Sequence, residues 1–532
     1  MNQYLLLATL ILIICVLGNK LSNRIGVPML LAFILLGMLF GSDGLIKIPF
    51  DNYAFAEQIC SVALIFIMFY GGFGTNWREA RPVAAPAIVL ASLGVVLTAL
   101  FVGVFCHFVL GVGWLESFLL GSVISSTDAA SVFSIFRSWK LNLRDRTASL
   151  LELESGSNDP TSYMLTMVVL TLMEGEANAG IFAYLLFSQV VYGLLFGAAI
   201  AVLSVKVMTH FDFGSDGFDS IFVLAMAIFA YAAPSLVGGN GYLSTYVVGI
   251  VLGNSPLKNK KTLVHFFDGM TGLMQIVIFF LLGLLCFPSK IPQVIIPAIL
   301  IALFLTFVAR PLAVAGILTP FRCRWQQQAV VAWCGLRGAA SIVFAIMVTV
   351  SSVELEFDIF HVVFGIVLLS ILFQGSLTPV ISRRLGMIDD NSNVMKTFTD
   401  YSEEVPVEFI HFKIRSGHPW CDQPLHDIMF PPETLAVLIL RGKERIVPNG
   451  DTVLEQGDKL VLSAKSAGYL GEICLTEITV NAGSQWVEQP VSLLDVGPDK
   501  LIIMVQRGEN VIIPRGDTML LPGDLLVINE SS

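Results

Sequence analysis

About thirteen apolar runs leave this chain little choice of fold: they lie near residues 3–18, 26–41, 55–73, 84–110, 115–136, 156–173, 181–208, 219–237, 241–254, 266–287, 292–318, 327–350 and 358–381. In hydrocarbon no water satisfies the backbone, so each run must close its own hydrogen bonds as a helix. A straight crossing takes roughly 20 residues, and a few runs fall short of that. The 532 residues are 55% hydrophobic and 14% charged, against about 25% charged in a soluble domain. The fold class is therefore a polytopic α-helical membrane protein with about thirteen transmembrane helices, most of its surface against membrane lipid. The net charge of −10, with no basic footprint, argues against nucleic acid as a partner. The cysteines (Cys15, Cys60, Cys106, Cys286, Cys323, Cys334, Cys421 and Cys474) form no C-x-x-C pair, so they are read as reduced packing residues rather than a zinc site or disulfide frame. "MNQYLLLATLILIICVLG" has no basic n-region and no cleavage site, and reads as a first span.

The connecting loops alternate in charge. Lys20 and Arg24, Arg78 and Arg81, Arg137 through Arg146, Lys206, Lys258 to Lys261, Arg322 and Arg324, and Arg383 with Arg384 fall on one side. The intervening loops hold Asp43, Asp51, Glu174, Glu176 and Glu354 to Asp358. The positive-inside rule then puts the N-terminus outside and residue 385 onward in the cytoplasm.

Two acids stand inside membrane-grade surroundings: Asp128 in "SSTDAAS" and Asp159 in "ESGSNDP". An ionisable group at mid-bilayer costs roughly 2.5 to 3.5 kcal/mol on insertion scales, so it normally faces a partner, a cavity or an ion path. The string from Thr127 to Phe133 is echoed 210 positions later by Arg337 to Phe344, and Gly71-Gly72 by Leu282-Gly283. The equivalents are offset by seven spans, an odd number, which makes the halves inverted repeats with two interrupted crossing helices, the pattern that marks a secondary transporter's midplane site.

Asp159 is able to hold a dehydrated monovalent cation or a proton, and mutual exclusion of the two couples opposing fluxes. Thr127, Ser155 and Asn158 offer neutral oxygens suited to Na⁺ or K⁺. Against this stands a capping role, with Asn158, Asp159 and Pro160 opening span six. Asp128 either joins the ion path or neutralises a half-helix N-terminus. Arg337 needs an acid, and Glu154, Glu152 and Asp128 are available. No G-x-x-x-x-G-K-[ST] string exists to drive a pump, and no T-V-G-Y-G filter to make a potassium channel. The chain reads as a transporter, not an enzyme, without a cofactor; a tail-gated cation channel is the rival from another class.

After Arg384 the composition changes. A polar linker, 385–403, leads to short strand-like runs broken by glycine and proline turns. Trp420, Gln423-Pro424, Arg441-Gly442, Gly450-Asp451-Thr452 and Gly457-Asp458 recur 66 residues on as Trp486, Gln489-Pro490, Arg507-Gly508, Gly516-Asp517-Thr518 and Gly523-Asp524. Two tandem copies of one small module follow, at 404–466 and 467–532.

"SSTDAAS", "ESGSNDP", "GLRGAAS" and "FYGGFGT", in that arrangement over residues 1–384, resemble the NhaP-type monovalent cation/proton antiporters. The resemblance implies thirteen helices, a homodimer, elevator-like alternating access and Asp159 as the cation/proton carrier. It further implies that Thr127 and Ser155 contribute to its shell, that Glu154 pairs with Arg337, and that exchange is electroneutral because Asn158 precedes the carrier. Tyr70 stands where several archaeal relatives carry a glutamate. The tail resembles two TrkA-C modules, implying a small cytoplasmic α+β regulatory unit, which in some relatives binds a small nucleotide such as a cyclic dinucleotide. NAD control is disfavoured, because the G-x-G-x-x-G partner domain is missing. Association of this tail with potassium transport favours a K⁺/H⁺ antiporter of the bacterial inner membrane, with Na⁺/H⁺ exchange as the alternative.

Overall fold

The computed structural model describes residues 6, 9–17, 29–139, 141–175, 179–211, 216–257, 259–389, 407–415, 418–431, 434–442, 444–465, 474–481, 484–494, 500–508, 510–512 and 514–530. The chain divides into two compact units, Met1–Glu403 and Glu404–Ser532. Residues 390–403 of the expected linker lie outside the described residues. The linker's first residues are bound instead to the loop before span six: the Arg144 amide donates to the Met387 carbonyl at 2.9 Å, and the Asp389 amide to the Asn142 carbonyl at 3.0 Å.

Among the described residues of the first unit, seven helices are long and apolar enough to cross a membrane, and four shorter apolar helices accompany them. The helices that build the site are α1 (Met29–Phe40), α2 (Tyr53–Gly74), α3 (Trp114–Val123), α4 (Ala129–Ser138), α5 (Thr147–Met173), α6 (Gly241–Gly253), α7 (Lys260–Leu285), α8 (Trp325–Trp333) and α9 (Ala339–Val350). The glycine echo noted in the sequence marks two close helix crossings. A Cβ at Gly72 would lie 2.4 Å from the Tyr246 carbonyl on α6, and one at Gly283 would lie 2.2 Å from the Ile34 carbonyl on α1. Small residues at such crossings let two backbones approach. This packing fixes α2 and α7, which form one wall of the site.

The second unit holds two four-stranded antiparallel sheets. Strands β1 (Val407–Lys413), β2 (Thr434–Arg441), β3 (Glu444–Ile446) and β4 (Lys459–Lys465) make one, in order β1-β4-β2-β3. Strands β5 (Cys474–Thr479), β6 (Lys500–Arg507), β7 (Asn510–Ile512) and β8 (Leu525–Glu530) repeat it in order β5-β8-β6-β7. Even the register shifts correspond, between Ala436 and Leu438 in one sheet and between Ile502 and Met504 in the other. An α+β tail was expected; its described residues are strands with 3-10 turns and contain no α-helix. Between the strands, the described residues include the matched 3-10 turns Leu425–Asp427 and Val491–Leu493.

Candidate cation and proton site

The two interrupted crossings break at matched positions, α3 ending at Val123 and α4 starting at Ala129, α8 ending at Trp333 and α9 starting at Ala339. Each break exposes helix ends carrying partial charge, positive at the N-terminus and negative at the C-terminus. The breaks meet where the Asp128 amide donates to the Leu336 carbonyl at 2.8 Å. The Asp128 carboxylate caps α4, accepting from the Ser131 amide at 3.2 Å and from its hydroxyl at 2.5 Å. Only glycine fits beside it, since a Cβ at Gly338 would lie 2.1 Å from Asp128 Oδ2. Arg337 serves the opposite pole. Its Nη1 donates to the carbonyls of Ser125 at 2.8 Å and Ser126 at 2.5 Å, just past the C-terminus of α3.

Helix α5 runs unbroken through Pro160, so Asn158 and Asp159 sit at mid-helix and do not open it. Pro160 has no amide hydrogen, which leaves the Gly156 carbonyl without its usual donor one turn away. Asp159 is buried and accepts a hydrogen bond from the Ser126 hydroxyl. Asn158 ties α5 to the first break: its Oδ1 accepts from the Thr127 amide at 3.3 Å, and its Nδ2 donates to Thr127 Oγ1 at 2.5 Å and to Glu154 Oε1 at 3.1 Å. The Ser155 hydroxyl donates to the Thr127 carbonyl at 2.7 Å. Asp159, Asn158, Thr127, Ser155 and Asp128 thus lie around the first break and the middle of α5.

A cavity of about 160 Å³ reaches this cluster, lined among others by Asp159, Ser155, Ser126, Thr127, Asp128 and Glu152. Its far wall carries Tyr70 and Gly71 from α2 and Thr271 and Gln275 from α7. From Asp159 the lining descends α5 through Ser155 to Glu152, toward the basic loop before the helix. One turn beyond Asp159 on α5, the Tyr163 ring centroid lies 5.1 Å from that of Tyr242 and 5.9 Å from that of Phe344. Tyr70 brings in an acid from another helix, its hydroxyl donating to Asp268 Oδ1 at 3.1 Å.

The expected Glu154–Arg337 ion pair is corrected by the structure. Glu154 Oε1 is bound by Arg310 Nη2 at 3.0 Å, both side chains being 1% exposed, while Thr127 Oγ1 donates to Oε2 at 3.3 Å. Arg337 is drawn instead to the carbonyls at the end of α3. Sequence reasoning missed Arg310 because it lies in the apolar run 292–318 and was absorbed into a span. A basic residue in such a run is the signal that marks it. Ser126, Thr271 and Gln275 were also missed; hydroxyl and amide side chains are too common in helices to stand out.

Crossed helix breaks around a buried carboxylate at the head of a cavity define a membrane transporter of the interrupted-helix class. Residues 8–384 match the family described as sodium/hydrogen exchanger, transmembrane, and residues 409–470 and 475–529 each match the TrkA-C domain. The chain is 35% identical to the K(+)/H(+) antiporter NhaP of Alkalimonas amylolytica, over 88% of this chain and 82% of that protein. It is 33% identical to the K(+)/H(+) antiporter NhaP2 of Shewanella sp. (strain MR-4), over 93% of this chain and 88% of that protein. Among solved structures, the sodium proton antiporter MjNhaP1 from Methanocaldococcus jannaschii has the same fold, with a TM-score of 0.64 at 24% identity, covering 72% of this chain and 99% of that one. The chain belongs to the sodium/hydrogen exchanger family, as an NhaP-type cation/proton antiporter with TrkA-C domains; it is a membrane transporter and not an enzyme.

Proposed function

We propose that the protein exchanges K⁺ for H⁺ across the bacterial inner membrane, electroneutrally, by competition of the two ions for Asp159. The observation that carries this is a division of labour among the acids. Asp128 caps a helix and Glu154 is held by Arg310, whereas among the described residues no basic side chain pairs with Asp159, which faces the cavity. Ser126, Ser155, Thr127 and the Gly156 carbonyl supply neutral oxygens around it, the hard-donor set an alkali cation needs in place of water. The cavity lining runs along α5 toward the basic loop before that helix, which supports access to Asp159 from the cytoplasm. The N-terminus lies outside, the tail in the cytoplasm, and the chain works as a homodimer. The relatives named K(+)/H(+) antiporters, at 33% and 35% identity, favour potassium. Sodium is the second reading, favoured by a relative named Na(+)/H(+) antiporter ApNhaP from Aphanothece halophytica at 24% identity.

The test is cation-dependent dequenching of a pH-sensitive dye in proteoliposomes, comparing K⁺, Na⁺, Rb⁺ and Li⁺. Wild type responds most strongly to K⁺, and Asp159→Asn falls to the level of protein-free vesicles. Normal exchange by Asp159→Asn would refute the carrier role, and a preference for Na⁺ would select the second reading. The two TrkA-C modules regulate exchange by binding a small nucleotide, a cyclic dinucleotide being the first to try. A chain ending at residue 390 keeps exchange and loses its response to that nucleotide.

A further inference from the structure

Helix α5 brings Glu152, Ser155 and Asp159 to the cavity, three and then four residues apart, so they form one column along a helical face. Helix α7 repeats that spacing with Asp268, Thr271 and Gln275, and the last two line the opposite wall. Both helices start beside a basic loop, at Thr147 and at Lys260, so the columns rise from the same end. In each an acid leads and a hydroxyl follows one turn on. About 10 Å from the acid stands the last member, Asp159 in one column and Gln275 in the other. The leading acid of α7, Asp268, is tied to the cavity wall by the Tyr70 hydroxyl, which donates to it at 3.1 Å. The other polar groups of the lining are committed or closed off. Ser126 donates to Asp159, Ser155 to the Thr127 carbonyl, and Asp128 caps α4. The Thr271 hydroxyl is sealed within the protein. Gln275 differs. It is half-buried in the lining, and among the described residues neither end of its amide makes a hydrogen bond. The wall from α2 holds Leu64, Ile67 and Met68, which offer an amide nothing. A polar group set among apolar ones costs free energy until a partner reaches it.

We propose that Gln275 is a ligand of the transported cation, its amide oxygen meeting the ion from α7 while the Asp159 carboxylate meets it from α5. An amide carbonyl is the same dipole that replaces the hydration shell of K⁺ in carbonyl-lined filters. The proton needs no such help, because it binds Asp159 as a covalent O–H. Gln275 thereby tightens one of two competing ions and leaves the other alone. This rests on Asp159 being the site the two ions share. Under competition the half-saturating K⁺ concentration rises with proton concentration, and losing the Gln275 oxygen multiplies it by one factor at every pH. At a fixed, saturating K⁺ concentration protons then displace the cation at a proportionally lower proton concentration, so the acid limb of the activity profile moves to higher pH.

The test uses the full-length protein in vesicles, titrated with KCl at several pH values. Gln275→Met, which keeps the length of the side chain and removes its carbonyl, is expected to raise half-saturating K⁺ about tenfold, or 1.4 kcal/mol, and to move the acid limb up by about one pH unit. Gln275→Glu, which keeps a carbonyl-type oxygen, is expected to stay within about twofold of wild type or to bind K⁺ more tightly. Calorimetric titration of the purified protein with KCl reads the same tenfold weakening without turnover, so a slow variant still answers. Wild-type half-saturation in Gln275→Met, an equal rise in the Met and Glu variants, or a loss of maximal rate with K⁺ binding unchanged would each overturn the assignment. Asp159→Asn runs beside them: normal exchange there sinks the carrier reading, whereas wild-type half-saturation in Gln275→Met with Asp159→Asn inactive sinks the ligand role of Gln275 alone.

Discussion

The membrane unit and the tail solve the same problem, holding arginine against carboxylate, in opposite ways. In the tail the solution is closed and used twice. Arg441 grips Asp458 with Nε and Nη2 and spends Nη2 again on the Val453 carbonyl; Arg507 does the same with Asp524 and the Met519 carbonyl. Each acid also accepts a turn amide, from Glu455 or Leu521, so the pair locks a turn to a strand within its own module. In the membrane the solution is left open. Glu154 takes a single nitrogen of Arg310 and shares itself with Asn158 and Thr127, and Arg337 is held by backbone carbonyls alone. A closed bidentate pair fixes one geometry, whereas among the described residues Arg310 and Arg337 each keep two side-chain nitrogens without a hydrogen-bond partner.

The largest effect that would sharpen this contrast is at Glu154. Removing one member of a buried pair leaves the other charged and unpaired, which destabilises by about 3–5 kcal/mol. Glu154→Ala is therefore expected to lower resistance to detergent-induced unfolding by that amount, and Glu154→Ala combined with Arg310→Met to recover part of it. A negligible loss in the single variant would break the comparison. In the tail, Asp458→Ala and Asp524→Ala should each cost about 1.5–3 kcal/mol, the range for a hydrogen bond to a charged group. Hydrogen exchange should show the loss confined to the altered module, β2 and β4 for the first variant, β6 and β8 for the second.

The smallest effect is the response to acid. Burial pushes the Asp458 carboxyl up, but the hydrogen bonds from Arg441 and the Glu455 amide prevail and hold it below the ordinary carboxylate range. At Asp524 the bonds from Arg507 lead, with burial opposing them, and the carboxyl is again lowered. A carboxyl lowered by folding stabilises fully above its ordinary pKa of about 3.9 and loses that contribution as pH falls through the lowered native value. Amide protection in β2, β4, β6 and β8 should therefore hold between pH 7 and pH 5 and decline below about pH 4. A decline beginning near pH 6 would place the titration on other groups.

Much of the architecture was legible in the residues because it follows from short-range rules. Hydropathy marks helices wherever backbone must satisfy itself, and repetition at 210 and 66 residues announces the paired breaks and the paired modules. The same rules exposed Asp159 and Asp128 as acids out of place. They misjudged Pro160, where a helix opener was an alternative, because tertiary packing on both sides of α5 carries the helix through a residue that would end it in isolation. They also paired Glu154 with the arginine whose motif was conspicuous, when the one that reaches it lies in another span.

Taken alone, the sequence determined that this chain lies in a membrane and that it carries two matched helix breaks and a doubled tail. Each of these rests on composition or periodicity, which are properties of neighbours along the chain. Only the tertiary structure decided that Asp128 caps, that Glu154 is claimed by Arg310, that Arg337 reaches the carbonyls at the end of α3, and that Asp159 meets a cavity. Those outcomes depend on distances of a few ångströms between helices far apart in sequence, and directional hydrogen bonds choose among partners that residue order leaves equivalent.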